Sequence, residues 1–445
     1  MGADRSDDRM AGIHVRGGQD RTMGRTAMGS RLGSIGLLIG NRWLALWFLA
    51  NGIAQIGHRV YLLAIPWLVM TMTGSAMYMN AVWAVEMLPF LVAGPFMGVL
   101  IDRFDRRRTM IVSNIAQAAL VGAIPLLHFT GQLQIWHLFV TGFLLNCFSL
   151  AYNLVGDFGV IPRLARGAEL ALANSIHFTI LNLSMVFGSA VGGALINWMS
   201  APGSLLFTAV SLLGTTVVVT LLPVDLGSAT QAGRATVRAV FGDVAEGFRF
   251  LWRDGLIRNL ALGLCISNLA LGALTTTATY HLGQEWGLDA DQVGLAFSVI
   301  GLTAVGGSLA APVLIRRFPI GRAVVAWNLA EALGVGIAAL SGHWTIAVAG
   351  LAVQALAGTL GNISTFTIRQ KVIPNAFMGR VNAAFRMVLT LSFPLSAVLL
   401  GSVTERAGAR LAFGAAGAIS VLAALVLLLS PVGRYVLPQD AEEAV

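Results

Sequence analysis

Apolar residues run through this chain in blocks long enough to cross a bilayer, separated by short polar or charged interruptions. A membrane-spanning helix needs roughly 20 consecutive apolar residues. The pattern predicts such spans over 43–72, 77–101, 109–129, 133–158, 171–198 and 202–223, and again over 256–281, 291–315, 320–342, 343–370, 378–404 and 408–431. The longest polar interruption, 224–255, separates the two sets.

The sets are copies of one plan. Val99-Leu100-Ile101-Asp102-Arg103-Phe104-Asp105-Arg106-Arg107-Arg108 returns 214 residues later as Val313-Leu314-Ile315-Arg316-Arg317-Phe318-Pro319-Ile320-Gly321-Arg322, with six of ten positions identical. Val160-Ile161-Pro162 against Val372-Ile373-Pro374 repeats at an offset of 212. Both echoes are charged or turn-forming loops between apolar segments, as duplication of a membrane unit requires. The expected architecture is an all-α membrane protein with twelve transmembrane helices in two pseudo-symmetric six-helix bundles. It divides into a disordered N-terminal tail (1–40), a first bundle (41–223), a cytoplasmic central linker (224–255), a second bundle (256–431) and a C-terminal tail (432–445).

Composition agrees. The chain is 56% hydrophobic and 11% charged, with a mean hydropathy of +0.76, whereas soluble domains are about 25% charged. Cytoplasmic loops retain Lys and Arg during insertion. With the N-terminus inside, 25 of the 29 basic residues fall on the cytoplasmic side, which predicts a multi-pass protein of the inner or plasma membrane with both termini cytoplasmic. The net charge of +8 is thus a topology signal and argues against nucleic acid as a partner. Residues 1–34 lack an apolar core followed by a small-residue cleavage site, so they read as a tail and not a signal peptide. Met23 and Met28 lie close to the first span, so either is an expected alternative start. Cys147 and Cys265 sit in spans of different halves, which points to packing and to neither a disulfide nor a metal site. No cofactor is expected.

Polar residues inside spans are costly and face a cavity or another helix. In span 1, Asn51, Gln55, His58 and Arg59 share one helical face; span 4 repeats this with Asn146, Ser149, Asn153 and Asp157. Span 7 carries Asn268, Gly272, Thr275 and Thr279, and span 10 carries Gln354, Gly358, Gly361, Asn362, Thr365 and Arg369. The striped spans, 1, 4, 7 and 10, open the four three-helix units. Turned inward together, they would enclose one polar cavity near the midplane; taken singly, each stripe is equally a hydrogen-bonding seam between helices.

Deep ionisable groups are fewer. Glu86, Arg59, Glu331 and Arg386 lie well inside spans, where a charge costs several kcal/mol unless paired, hydrated or neutralised. Glu86 either pairs with Arg59 or carries a proton during turnover, with Asp157 and Glu331 as further proton-coupling candidates. Gly94-Pro95-Phe96-Met97-Gly98 and Gly188-Ser189-Ala190-Val191-Gly192-Gly193 are small-residue stretches suited to close helix packing.

These residues resemble the major facilitator superfamily from about Asn41 to Pro431. Gly98-Val99-Leu100-Ile101-Asp102-Arg103-Phe104-Asp105-Arg106-Arg107 looks like its signature loop between helices 2 and 3, and Gly188-Ser189-Ala190-Val191-Gly192-Gly193 resembles its antiporter motif, with Ser189 where that motif has proline. Asn41-Arg42, Leu63-Ala64-Ile65-Pro66, Thr73-Gly74-Ser75, Ile161-Pro162-Arg163-Leu164 and Gly379-Arg380-Val381 are similar to the branch containing the enterobactin exporter and macrolide efflux proteins. That branch often has an acidic residue after the helix-1 glycine, where Gly57 is followed here by His58-Arg59, and helix 4 lacks the arginine of many proton-driven antiporters. The resemblance implies alternating access, with Gly98, Asp102, Arg103, Arg106 and Arg107 gating the cytoplasmic side against the start of helix 11 at Arg380. Arg316 stands in the second loop where Asp102 stands in the first, so the gate is expected to be asymmetric. It also implies a monomeric exporter of an amphipathic small molecule (an antibiotic, drug or siderophore) in exchange for protons. Uptake of a small polar solute and a non-transporting sensor or scaffold are the alternatives. An enzyme is not expected, since no His-Glu-x-x-His or Gly-x-Ser-x-Gly element occurs.

Overall fold

In hydrocarbon every backbone N–H and C=O must be satisfied within its own segment, so apolar blocks of this length become helices. The computed structural model describes residues 40–92, 104–165, 168–224, 237–375 and 377–436. Helix 1 is Arg42–Thr73, helix 2 Ala76–Val92, helix 3 Arg106–Phe129 and helix 4 Ile135–Gly159. Helices 5 and 6 form one helical stretch, Ala168–Leu221, broken at Ser200 (φ 67°, ψ 163°). In the second half, helix 7 runs from Gly255 to Glu285 in three pieces, helix 8 is Ala290–Arg317, helix 9 Ile320–Leu340, helix 10 Trp344–Val372, helix 11 Met378–Ala407 and helix 12 Ala409–Leu429. Ten helices among the described residues are long and apolar enough to cross a membrane. The stretch that breaks at Ser200 crosses twice, and helix 2, described to Val92, is the remaining crossing.

Local chemistry sets the helix starts. Asn41 caps helix 1 by accepting from the Leu44 N–H (3.0 Å), and its amide donates to the Leu164 carbonyl (2.8 Å), fixing helix 1 to the turn that follows helix 4. Asp105 caps helix 3 through the Arg108 N–H (2.8 Å), and Asp254 caps helix 7 through Leu256 and Ile257 (both 2.9 Å). Helix 7 resets at Gly272–Ala273, and the Ala273 N–H freed there is taken by Ser396 Oγ of helix 11 at 3.0 Å. The interruption at 224–255 is more than a linker: it contains an amphipathic helix, Val237–Arg253, packed on helix 11.

The halves meet along two helix pairs, 2 with 11 and 5 with 8. Gly193 of helix 5 lies directly over the backbone of Ala290 and Asp291, and Gly294 of helix 8 lies over Ser189 and Gly193, an approach that any side chain would block. The cross-half side-chain hydrogen bonds lie toward the end where helix 1 turns at Gly74. There Ser75 Oγ and the Met77 N–H donate to Glu405 (3.0 and 3.2 Å), and Thr276 donates to Asn80 Oδ1 at 2.6 Å. Toward the opposite end, which carries the basic loops, the described parts of helices 2, 4 and 11 line a cavity.

Candidate transport site

Among the described residues, two cavities lie between the halves. One, of about 580 Å³, opens between helices 2, 4 and 11 and is lined by Met87, Phe90, Asn382, Arg386, Met387 and Phe393, among others. A smaller one, of about 150 Å³, lies among helices 1, 5, 7, 8 and 10 and is lined by Arg59, Ser189, Thr275, Thr279 and Gln354 with apolar neighbours. A third pocket, also of about 150 Å³, lies inside the first half, walled by Asn51, Gln55, His58 and Tyr61 of helix 1, Asn114 and Gln117 of helix 3, Ser149 and Asn153 of helix 4, and Thr208 and Thr215 of helix 6.

The polar stripes are therefore divided instead of converging on one cavity. Arg59, Thr275 and Gln354 face the seam, whereas Asn51, Gln55, His58 and Asn153 turn into the first-half pocket. Helix 1 does both because its polar run ends in adjacent residues, His58 and Arg59, about 100° apart around the helix. Asn146 is buried and donates to the Gly142 carbonyl of its own helix (3.0 Å). Asn268 is half-buried, and Asn362 is exposed.

Glu86 and Arg59 are not paired. The Glu86 carboxylate, 4% exposed, accepts from Tyr61 Oη at 2.5 Å, and the side chain rests against Gly142 of helix 4. Gly188 of helix 5 makes room for the stem of Arg59, whose Nε has no hydrogen-bond partner, and Gly192 makes room for the backbone of Val60. Glu331 is likewise buried, accepting from Ser267 of helix 7 at 3.3 Å beside Gly358 of helix 10. Asp157 lies on helix 4, with its side chain outside the described residues.

A model of the Major Facilitator Superfamily matches residues 47–326 and 260–444. The chain belongs to that superfamily. The multidrug efflux pump Tap of Mycolicibacterium fortuitum is 25% identical over 388 residues, covering 85% of this chain and 93% of its own. The enterobactin exporter EntS of Escherichia coli O139:H28 is 23% identical over 368 residues, covering 80% and 84%. Among solved structures, the nucleoside transporter NupG superposes with a TM-score of 0.72 at 12% identity, covering 87% of this chain and 99% of that one. A bacterial homologue of the iron transporter ferroportin gives 0.68 at 15%, covering 87% and 98%. At such identities the structural likeness speaks for the fold of this superfamily member alone.

Of the loop residues, Gly98, Asp102 and Arg103 lie outside the described residues. Arg107 turns within its own half: its guanidinium donates to the carbonyls of Leu222 and Val224 (both 2.5 Å), closing the C-terminal end of helix 6 where the helix dipole favours a cation. Arg106 is half-buried at the first turn of helix 3. Arg380, expected to meet the loop of the other half, is held instead by the linker helix, through Asp243 (2.7 Å) and Glu246 (2.8 Å).

Several residues around these cavities escaped the sequence reading. Asn114 and Gln117 of helix 3, three apart and buried, wall the first-half pocket, and neither polar atom of the Asn114 amide has a partner. Their i, i+3 spacing on one helical face was a usable signal. Tyr61, the partner of Glu86, lies two residues beyond the end of the helix-1 stripe.

Proposed function

We propose that this transporter exports an amphipathic small molecule, such as an antibiotic, drug or siderophore, by alternating access in exchange for protons. The observation that carries the reading is the asymmetry of the seam among the described residues: hydrogen-bonded at the Gly74 end, and parted toward the basic end around a largely apolar cavity. The basic loops support a cytoplasmic side for that open end and for both termini, in the cell membrane, so in this reading the state is one that loads from inside. The names of the relatives, a multidrug efflux pump and an enterobactin exporter, support export. Closing the cytoplasmic side brings Asp102 to the start of helix 11, where exposed N–H groups favour an anion, and Arg380 exchanges partners there. The transporter works as a monomer.

Glu86 is the proton carrier in this reading. Its partner is a hydroxyl and not a cation, and that hydroxyl belongs to Tyr61, which walls the polar first-half pocket, so a proton has an approach lined by polar side chains. Gln retains an acceptor for Tyr61 and holds the neutral state. In everted vesicles with an imposed pH gradient, loaded with a substrate found by a susceptibility panel in an efflux-deficient host, Glu86→Gln is expected to bind substrate but lose uphill accumulation. Wild-type accumulation by Glu86→Gln would falsify the assignment.

A further inference from the structure

Two arginines, Arg59 and Arg386, lie well inside membrane-crossing helices, and a third, Arg369, lies in the last turn of helix 10. None is among the ion pairs of the described residues. Arg59 faces the smaller seam cavity with its Nε unpartnered. Arg386 is exposed to the larger one. Arg369 stands behind it, its guanidinium over the Phe385 ring at 4.4 Å and its Nη1 donating to Asn382 Oδ1 at 2.9 Å. The described membrane carboxylates do not answer this charge: Glu86 and Glu331 turn to hydroxyls, and no acidic side chain belongs to the described lining of either seam cavity. Unpaired cations at such depth are costly, and a transport site recovers that cost when its cargo brings the missing charge.

We infer that the cavity between helices 2, 4 and 11 takes an amphipathic anion: an apolar or aromatic body carrying a carboxylate, sulfonate, phosphate or catecholate group. The Arg386 guanidinium, a planar fork of donors, binds the anionic group. Asn382 assists, because its Oδ1 is occupied by Arg369 and its Nδ2 hydrogens are left to donate into the cavity. Met87, Phe90, Met387 and Phe393 receive the apolar body. The inference rests on the transport reading for its meaning but not for its test.

Fluorescein and rhodamine 123 share a xanthene body and differ in charge, so fluorescence anisotropy with purified full-length protein in phosphatidylcholine nanodiscs reads the sign of the site directly. The expected result is tighter binding of fluorescein, weakened about tenfold by Arg386→Gln, partly restored by Arg386→Lys, with rhodamine 123 indifferent to either change. An unchanged unfolding temperature for both variants shows that the fold is intact. Tighter binding of rhodamine 123, or fluorescein binding indifferent to Arg386→Gln, would overturn the inference. Loss of fluorescein binding in phosphatidylglycerol nanodiscs would assign the site to a lipid headgroup and overturn a transported solute as its occupant. The measurement uses no gradient, so intact fluorescein binding without uphill export sinks the export reading and leaves the anion site standing.

Discussion

The two halves bury a carboxylate in the same way with different helices. Glu86 of helix 2 sits against a glycine of helix 4 and accepts from a hydroxyl of helix 1; Glu331 of helix 9 sits against a glycine of helix 10 and accepts from a hydroxyl of helix 7. Helix 9 corresponds by position to helix 3, not helix 2, so the duplication did not copy the carboxylate. What recurs is a physical solution: an acid deep in a membrane bundle needs a hydroxyl donor and a gap left by a glycine. The surroundings differ. Tyr61 joins Glu86 to a polar pocket of about 150 Å³, whereas Glu331 lies beside the stripe of helix 10, away from that pocket.

That contrast is most sharply tested by the second acid. Glu331→Gln is expected to keep gradient-driven export near the wild-type rate in the everted-vesicle assay in which Glu86→Gln loses it. Equal loss in both variants would make the acids a coupled pair and erase the functional difference drawn here.

The glycines provide the next test. A Cβ on Gly142 would stand 2.8 Å from Glu86 Cγ, mid-chain, and displace the whole side chain from Tyr61, whereas one on Gly358 would meet only the terminal Oε1 of Glu331, also at 2.8 Å. Gly142→Ala is expected to cost about 1–3 kcal/mol of stability and to slow export, and Gly358→Ala less than half as much, read from thermal unfolding in detergent. The reverse order would mean that Glu331 is the more rigidly held group.

Much of this arrangement was legible in the chain. The apolar blocks and the two loop echoes pointed to twelve crossings in two related bundles, because a helix in lipid leaves few alternatives. The stripes located polar helical faces but not their neighbours: a face on helix 1 becomes part of the seam or of the first-half pocket according to where helices 3 and 6 pack, which period alone does not encode. Arg59 and Glu86 offered a plausible ion pair, and the structure gives Glu86 to Tyr61, a residue with no charge to draw notice. Arg380 was expected at the gate by resemblance alone, and its tie to Asp243 and Glu246 depended on a helix hidden in what composition marked only as a polar interruption.

The smallest expected effect concerns the turns. Ser200, between helices 5 and 6, has φ 67° and ψ 163°; Gly408, between helices 11 and 12, has φ 84° and ψ 160°. The second half thus uses glycine where the first forces a serine into a region that glycine alone occupies without strain. Ser200→Gly should raise stability by about 1 kcal/mol and Gly408→Ser should lower it by a similar amount. Matching unfolding temperatures for all three proteins would show that this backbone region carries no strain at either turn.

The contacts through Glu405 and Asn80 set a scale for the work of transport. Two acceptors of this kind receive three hydrogen bonds across the halves, each contributing about 1 kcal/mol net. An elementary charge falling through roughly 100 mV releases about 2.3 kcal/mol. A latch of this size is commensurate with the energy of one ion per cycle: strong enough to hold the closed end against thermal opening, and weak enough that a single coupled charge can tip it.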